Sequence, residues 1–369
     1  MIELSLLDPS QLSTAAQRAL GPGPGRMMAS KGMLPLPPAD QVAVLYQLQL
    51  DADASIAGAA RATAASLPEK LLAGTLADPT LDPRILHFFG QSAADKAPVF
   101  DAIALNPSVA DGTLAMLAAK GDARGVDQLA QNEQRLLRHP EIIAAMYMNR
   151  RARMSTIDRV VELAVRNHVR VPGLAAWDEV ARALTGAAPS DAKVDAAFDD
   201  VVDKLTGDDS ELTKGDADVA LAEKDHEIKD DEKEVPFGEL PIPAQIRIAT
   251  LGNSVARGKA IRSAVKIVAL AAIKSPGVTE MEAARYAGNP GLGEDVIRYV
   301  AAKREWTKLY AVKVALCRNP KTPISESTKL MPFLRERDLN AVSNSRGIPS
   351  AVVSQAKKLM MQRRGGEKK

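Results

Sequence analysis

Cysteine is nearly absent from this 369-residue chain, which has one, Cys317. A single thiol excludes an internal disulfide, a CxxC pair and a cysteine-built zinc site, and it fits a reducing compartment. Because Cys317 lies in the apolar run 312–317, a buried, inert thiol is expected. Aromatic residues are also scarce, at 4%, while Ala, Leu, Val and Ile carry most of the 46% hydrophobic fraction. That mixture suits close helix-on-helix packing better than a β-sandwich. No stretch approaches the roughly 20 unbroken apolar residues of a membrane span. The opening MIELSLLDPSQL lacks the basic stretch and apolar core of a secretory signal. A cytoplasmic protein without a membrane span is expected.

Catalytic and metal signatures are missing as well. The four histidines, His87, His139, His168 and His226, stand alone, with no HExxH and no other i, i+4 metal pair. No GxSxG elbow occurs. Gly21-Pro22-Gly23-Pro24-Gly25-Arg26 lacks the GK[ST] ending of a phosphate loop, and its two prolines delete N–H groups that a phosphate cradle supplies. It reads as connecting loop. Asp208, Asp209, Glu211, Asp216 and Asp218 do not reproduce the ligand spacing of an EF-hand. Neither cofactor nor metal is expected, and the chain reads as a non-enzyme.

What is present is charge asymmetry. The net +2 conceals 18 acidic against 6 basic residues over 191–240, and 24 basic against 9 acidic over 241–369. Short apolar segments at helical spacing run through 39–50, 52–67, 69–77, 83–92, 98–105, 112–120, 125–137 and 140–148. They resume at 243–251, 259–273, 279–287, 294–303, 308–317, 324–334, 336–343 and 349–361.

A corner motif recurs between these segments, in which a small polar residue precedes proline: Asp78-Pro79, Asn106-Pro107, Ser275-Pro276, Asn289-Pro290 and Asn319-Pro320, with His139-Pro140 as a variant. The polar side chain closes an Asx-type turn and the proline forbids continuation of the preceding helix. Uneven spacing of 28, 33, 14 and 30 residues points to an irregular array with units of about 14 residues or twice that.

The expected fold is therefore all-α, an irregular α-solenoid of short helix pairs in two halves separated by an acidic, flexible insert. Its divisions are an N-terminal helix and Pro/Gly-rich loop (1–38), a helical repeat region (39–185), an acidic linker or insert (186–240), a basic helical repeat region (241–362) and a basic tail (363–369).

The passages Ala283-Ala284-Arg285-Tyr286-Ala287-Gly288-Asn289-Pro290 and 312–323, ending Asn319-Pro320-Lys321-Thr322-Pro323, resemble the leucine-rich repeat variant family and, more loosely, HEAT-like arrays. The resemblance implies a right-handed superhelix of alternating α and 3₁₀ helices. Residues 240–359 are also similar to a group of uncharacterised bacterial repeat proteins to which no activity attaches. Some members of the variant family carry a cysteine cluster for iron and sulfur ahead of the repeats. This chain has no cysteine there, so that cofactor is not carried over.

Candidate partner-binding residues lie in the basic region: Arg257, Lys259, Arg262, Lys266, Arg298, Lys303, Arg304, Lys308 and Lys313, with Trp306 and Tyr310 interleaved. Spacings of four place Arg262 with Lys266, and Arg304 with Lys308, on common faces if the local helices continue. In one reading these side chains solvate the array's outer face, their stems shielding apolar helices. In the other they bind a polyanion, helped by aromatic stacking. The function expected is an interaction scaffold for a protein partner. The alternative is a HEAT-like, repair-related nucleic-acid binder using the C-terminal repeats.

Overall fold

A computed structural model describes residues 4–185, 190–205 and 237–366. Among these, every regular element is helical: twenty-four α-helices, a few 3₁₀ turns and no strand. The chain divides into two compact units, Met1–Gly173 and Leu174–Lys369. Most of the acidic insert expected at 186–240 lies outside the described residues.

The first unit holds α1 (Thr14–Ala19), α2 (Pro24–Ser30), α3 (Pro38–Leu48), α4 (Ala54–Ser66), α5 (Glu69–Leu76), α6 (Pro83–Gly90), α7 (Ala97–Leu105), α8 (Asp111–Lys120), α9 (Ala123–Leu129), α10 (Glu133–Arg138), α11 (Glu141–Met148) and α12 (Met154–Arg166). Helices this short are marginal alone, so packing must hold them. Several lie on their next-but-one neighbour: α5 on α7, α6 on α8, α7 on α9 and α10 on α12. The densest contact joins α8 to α11.

Two expectations change here. The Gly-Pro run is only half a loop, because Gly23 takes a positive φ of 116° and Pro24 then opens α2, where its missing N–H is no loss. Residues 125–137 form two helices rather than one, since Asn132 interrupts the apolar pattern and caps α10 by accepting from Arg135 N.

Three of the polar-Pro corners, at Asn106, Ser275 and Asn319, tie neighbouring helices together. Asn106 follows α7 in extended conformation, and its buried amide donates to the carbonyls of Leu76 (2.8 Å) and Asp78 (2.9 Å), at and beyond the end of α5. Its Oδ1 accepts from Ser108 N at 2.8 Å. Asn149 repeats this after α11, donating to Ala118 and Gly121 at 2.8 Å each. One side chain thus closes its own corner and satisfies terminal carbonyls of the helix beneath, groups that otherwise lack partners.

The second unit uses the same device. It comprises α13 (Trp177–Leu184), α14 (Ala192–Leu205), α15 (Ile242–Leu251), α16 (Ser254–Ile261), α17 (Lys266–Lys274), α18 (Glu280–Gly288), α19 (Glu294–Ala302), α20 (Arg304–Thr307), α21 (Tyr310–Arg318), α22 (Ile324–Leu330), α23 (Glu336–Ser343) and α24 (Ser350–Gly366). Asn319 donates to Ala287 (2.8 Å) and Asn289 (3.2 Å), and Ser275 Oγ donates to Thr250 at 3.0 Å. These bonds pin α21 to α18 and α17 to α15, which are packed pairs.

Helix α14 covers 196–205, the one stretch of the expected linker whose spacing suits a helix, and packs on α15. Its Phe198 is buried under the guanidinium of Arg247, 4.6 Å from the ring centroid. Cys317 is buried with Sγ 3.6 Å from the Ser327 carbonyl, and burial pushes its thiol up to about 12.

Candidate interaction surface

The basic residues of the second unit divide into three groups. Arg257 is the first and stands alone: only 3% of it is exposed, so its charge does not reach the surface. Its Nε and Nη2 donate to Glu282 Oε1 (3.1 Å) and Oε2 (2.9 Å), and Nη1 donates to the Gly252 carbonyl at 2.8 Å. The same Glu282 closes the capping box of α18 with Thr279 and accepts from Tyr286 Oη at 3.2 Å. Burial alone raises the Glu282 carboxyl, but the guanidinium and the Thr279 N–H outweigh it and hold the carboxyl below its ordinary value. Burial, and then the Glu282 charge, push Tyr286 up to about 12. Gly277 packs against this network, since a Cβ there would lie 2.7 Å from Arg257 Nη1 and the guanidinium would have to shift.

A second group is half committed to neighbours within the unit. Lys266 pairs with Asp295 at 2.8 Å, Arg298 with Glu294, and Lys303 with Glu305 at 4.0 Å. Lys303 also lies over the buried Trp306 ring, 4.0 Å from its centroid, and Trp306 meets Tyr299 edge to face at 6.1 Å. Beside them, Lys274 donates to both oxygens of the buried Glu179, at 2.9 and 2.8 Å. Tyr310 Oη bonds Asp338 and accepts from Arg335 N, with the Arg335 guanidinium over its ring. Lys313 sits over Phe333, 5.1 Å from a ring that is 64% exposed. Trp306 is thus packed inside the unit, while Tyr310 is half-buried with its hydroxyl hydrogen-bonded and one ring face under Arg335.

Lys259, Arg262, Arg304 and Lys308 form the third group. All four are exposed, and none makes an ion pair among the described residues. The common face expected for Arg262 and Lys266 does not form, because α16 ends at Ile261 and α17 starts at Lys266. Ser263 breaks the helix by accepting from Val265 N at 3.2 Å. Arg304 and Lys308 do share one turn, α20 with its C-cap. Helix α16 packs on α15 and α17, whereas α20 packs on α18, α19 and α21, so the two pairs sit on differently supported helices.

The first unit carries an open polar cleft of about 410 Å³. There Arg135 Nε meets Asp111 Oδ1 at 2.6 Å, and His139 lies between Asp111 (3.0 Å) and Glu141 (3.3 Å). Among the described residues no three His, Cys, Asp or Glu side chains are grouped to hold a metal ion. No family model, curated protein or solved structure matches the chain.

Proposed function

We propose that this chain is a non-enzymatic interaction scaffold, an irregular α-solenoid of short helix pairs that binds a protein partner through its helical-repeat surface. The observation that supports this most is the corner clamp. Asn106, Asn149 and Asn319 each reach back about one helix pair to the carbonyls ending the helix below. Elements held this way by near neighbours can be added in series, and their outer faces stay free for a ligand. Asn289 and Asn319 are also the corner residues of the two passages that resemble the leucine-rich repeat variant family. The test is affinity capture from native cytoplasm with the full chain, followed by rebinding of the purified captured protein. Turnover of a metabolite by the chain, with no protein rebinding, would sink the proposal.

A second reading, a HEAT-like nucleic-acid binder, is favoured by one observation: Lys259, Arg262, Arg304 and Lys308 are exposed cations that make no ion pair among the described residues. It requires duplex DNA or RNA binding at about 50 mM salt that falls steeply by about 200 mM, as condensed counterions cease to drive association. Reversing all four charges should abolish that binding.

A further inference from the structure

In the first unit, residues Ser5–Leu7 lie against α3 and α6 and are held almost wholly by side chains gripping their main chain. Gln47 on α3 reads Leu7 from both sides: its Oε1 accepts from Leu7 N at 2.9 Å and its Nε2 donates to Leu7 O at 3.3 Å. Tyr46 Oη donates to Ser5 O at 2.7 Å. Arg84, at the start of α6 and fixed by Asp82, donates to Ser5 Oγ at 2.9 Å and Leu6 O at 3.1 Å. Leu7 is buried, whereas its neighbour Leu6 is 62% exposed and Ser5 and Asp8 are exposed.

This is the arrangement of a receptor and an extended peptide. Main-chain bonds supply the grip, and one buried side chain supplies selectivity. Most of α3, from Val42 to Leu48, is buried, and Gln47 is the polar exception in that apolar run. Its amide matches the N–H and C=O of one peptide unit, so a segment that fills the site makes both of its bonds.

We propose that this groove on α3 and α6 is a binding site for an extended segment of a partner protein with a Ser-x-Leu pattern, which the chain's own Ser5-Leu6-Leu7 occupies as a displaceable intramolecular competitor. The proposal rests on the scaffold reading only in that the partner is a protein. It uses none of the basic residues of the second unit. Attached in cis, the segment competes at an effective concentration in the millimolar range, so an outside peptide binds weakly until the strap is loosened.

The probe is a fluorescent peptide of sequence LSLLDPS, titrated by anisotropy into the full chain. Leu7→Asp puts a charge where the anchor sits and should raise peptide affinity at least 10-fold over the unaltered chain. Adding Gln47→Leu to that variant should remove the gain, and a peptide carrying aspartate at the anchor should not bind at all. Equal affinity of the two chains would overturn the proposal. So would a concentration-dependent dimer of the Leu7→Asp chain with no peptide bound, which would assign the groove to exchange between copies. Should Leu7→Asp not fold, hydrogen exchange on the unaltered chain decides: millimolar peptide must speed exchange of the chain's own Leu7 N–H, and unchanged exchange refutes displacement. Both readouts use only purified chain and peptide, so their failure leaves the wider capture experiment standing.

Discussion

Asn289 and Asn319 look alike in sequence, each an asparagine before proline at the end of a short helix, yet the structure gives them unequal work. Asn319 is buried and makes three side-chain bonds: to Ala287 O at 2.8 Å, to Asn289 O at 3.2 Å, and from Lys321 N at 2.9 Å. Asn289 is half-buried, and its side chain accepts one bond, from Gly291 N at 2.8 Å. At about 0.5–1.5 kcal/mol per bond, with carbonyls left wanting, Asn319→Ala should cost about 2–4 kcal/mol and Asn289→Ala about 1 kcal/mol or less. For a unit of this size each kcal/mol moves the melting midpoint by roughly 2–4 °C. Calorimetry on the full chain should therefore show a drop of roughly 4–16 °C for Asn319→Ala, against at most about 4 °C for Asn289→Ala. Equal shifts would refute the corner clamp as the element that ties neighbouring helices.

The remaining predictions concern the buried groups of the second unit. Because Glu282 is held below its ordinary value of 4.5, its stabilisation is complete above that pH and fades as the pH falls through the lower folded value. Glu282→Gln should therefore flatten the acid limb of the stability profile, measured by urea titration between about pH 5 and 3, and cost about 3–5 kcal/mol at pH 7 by stranding the buried Arg257 charge. An unchanged acid limb would contradict the assignment. Arg257→Ala should destabilise by a similar amount, whereas Lys308→Ala, on the exposed side of α20, should stay within about 0.5 kcal/mol. Cys317, with its thiol pushed up to about 12, should resist an aromatic disulfide reagent at pH 8 until denaturant is added. Rapid labelling of the native chain would show that the thiol is open.

Local chemistry made the helices and most corners legible. Proline after a small polar residue marks Asn106, Ser275, Asn289 and Asn319 because it stops a helix whatever the tertiary context. Asn149 makes the same clamp but is followed by Arg150, so the proline signal missed it. The continuous apolar spacing of 259–273 concealed the break at Ser263, because a side chain that bonds its own backbone leaves no trace in the hydrophobic period.

The candidate surface was legible only as composition. Whether a cation is spent inside depends on a partner brought from elsewhere: Arg257 meets Glu282 and Lys274 meets Glu179, pairs separated by 25 and 95 residues. Charge counting treats Arg257 and Lys308 as equals, but folding buries the first and leaves the second in solvent. Gln47, the one amide within the apolar run 42–48, was missed, because the Leu7 main chain that it bonds lies 40 residues away.

The most direct test of the scaffold proposal is rebinding of a captured, purified protein to the full chain at about 0.15 M ionic strength, where exposed charges are screened beyond about 8 Å. The account predicts a one-to-one or higher complex that co-migrates in sedimentation and survives that salt. Recovery of nothing but nucleic acid, released as the salt rises, would contradict it.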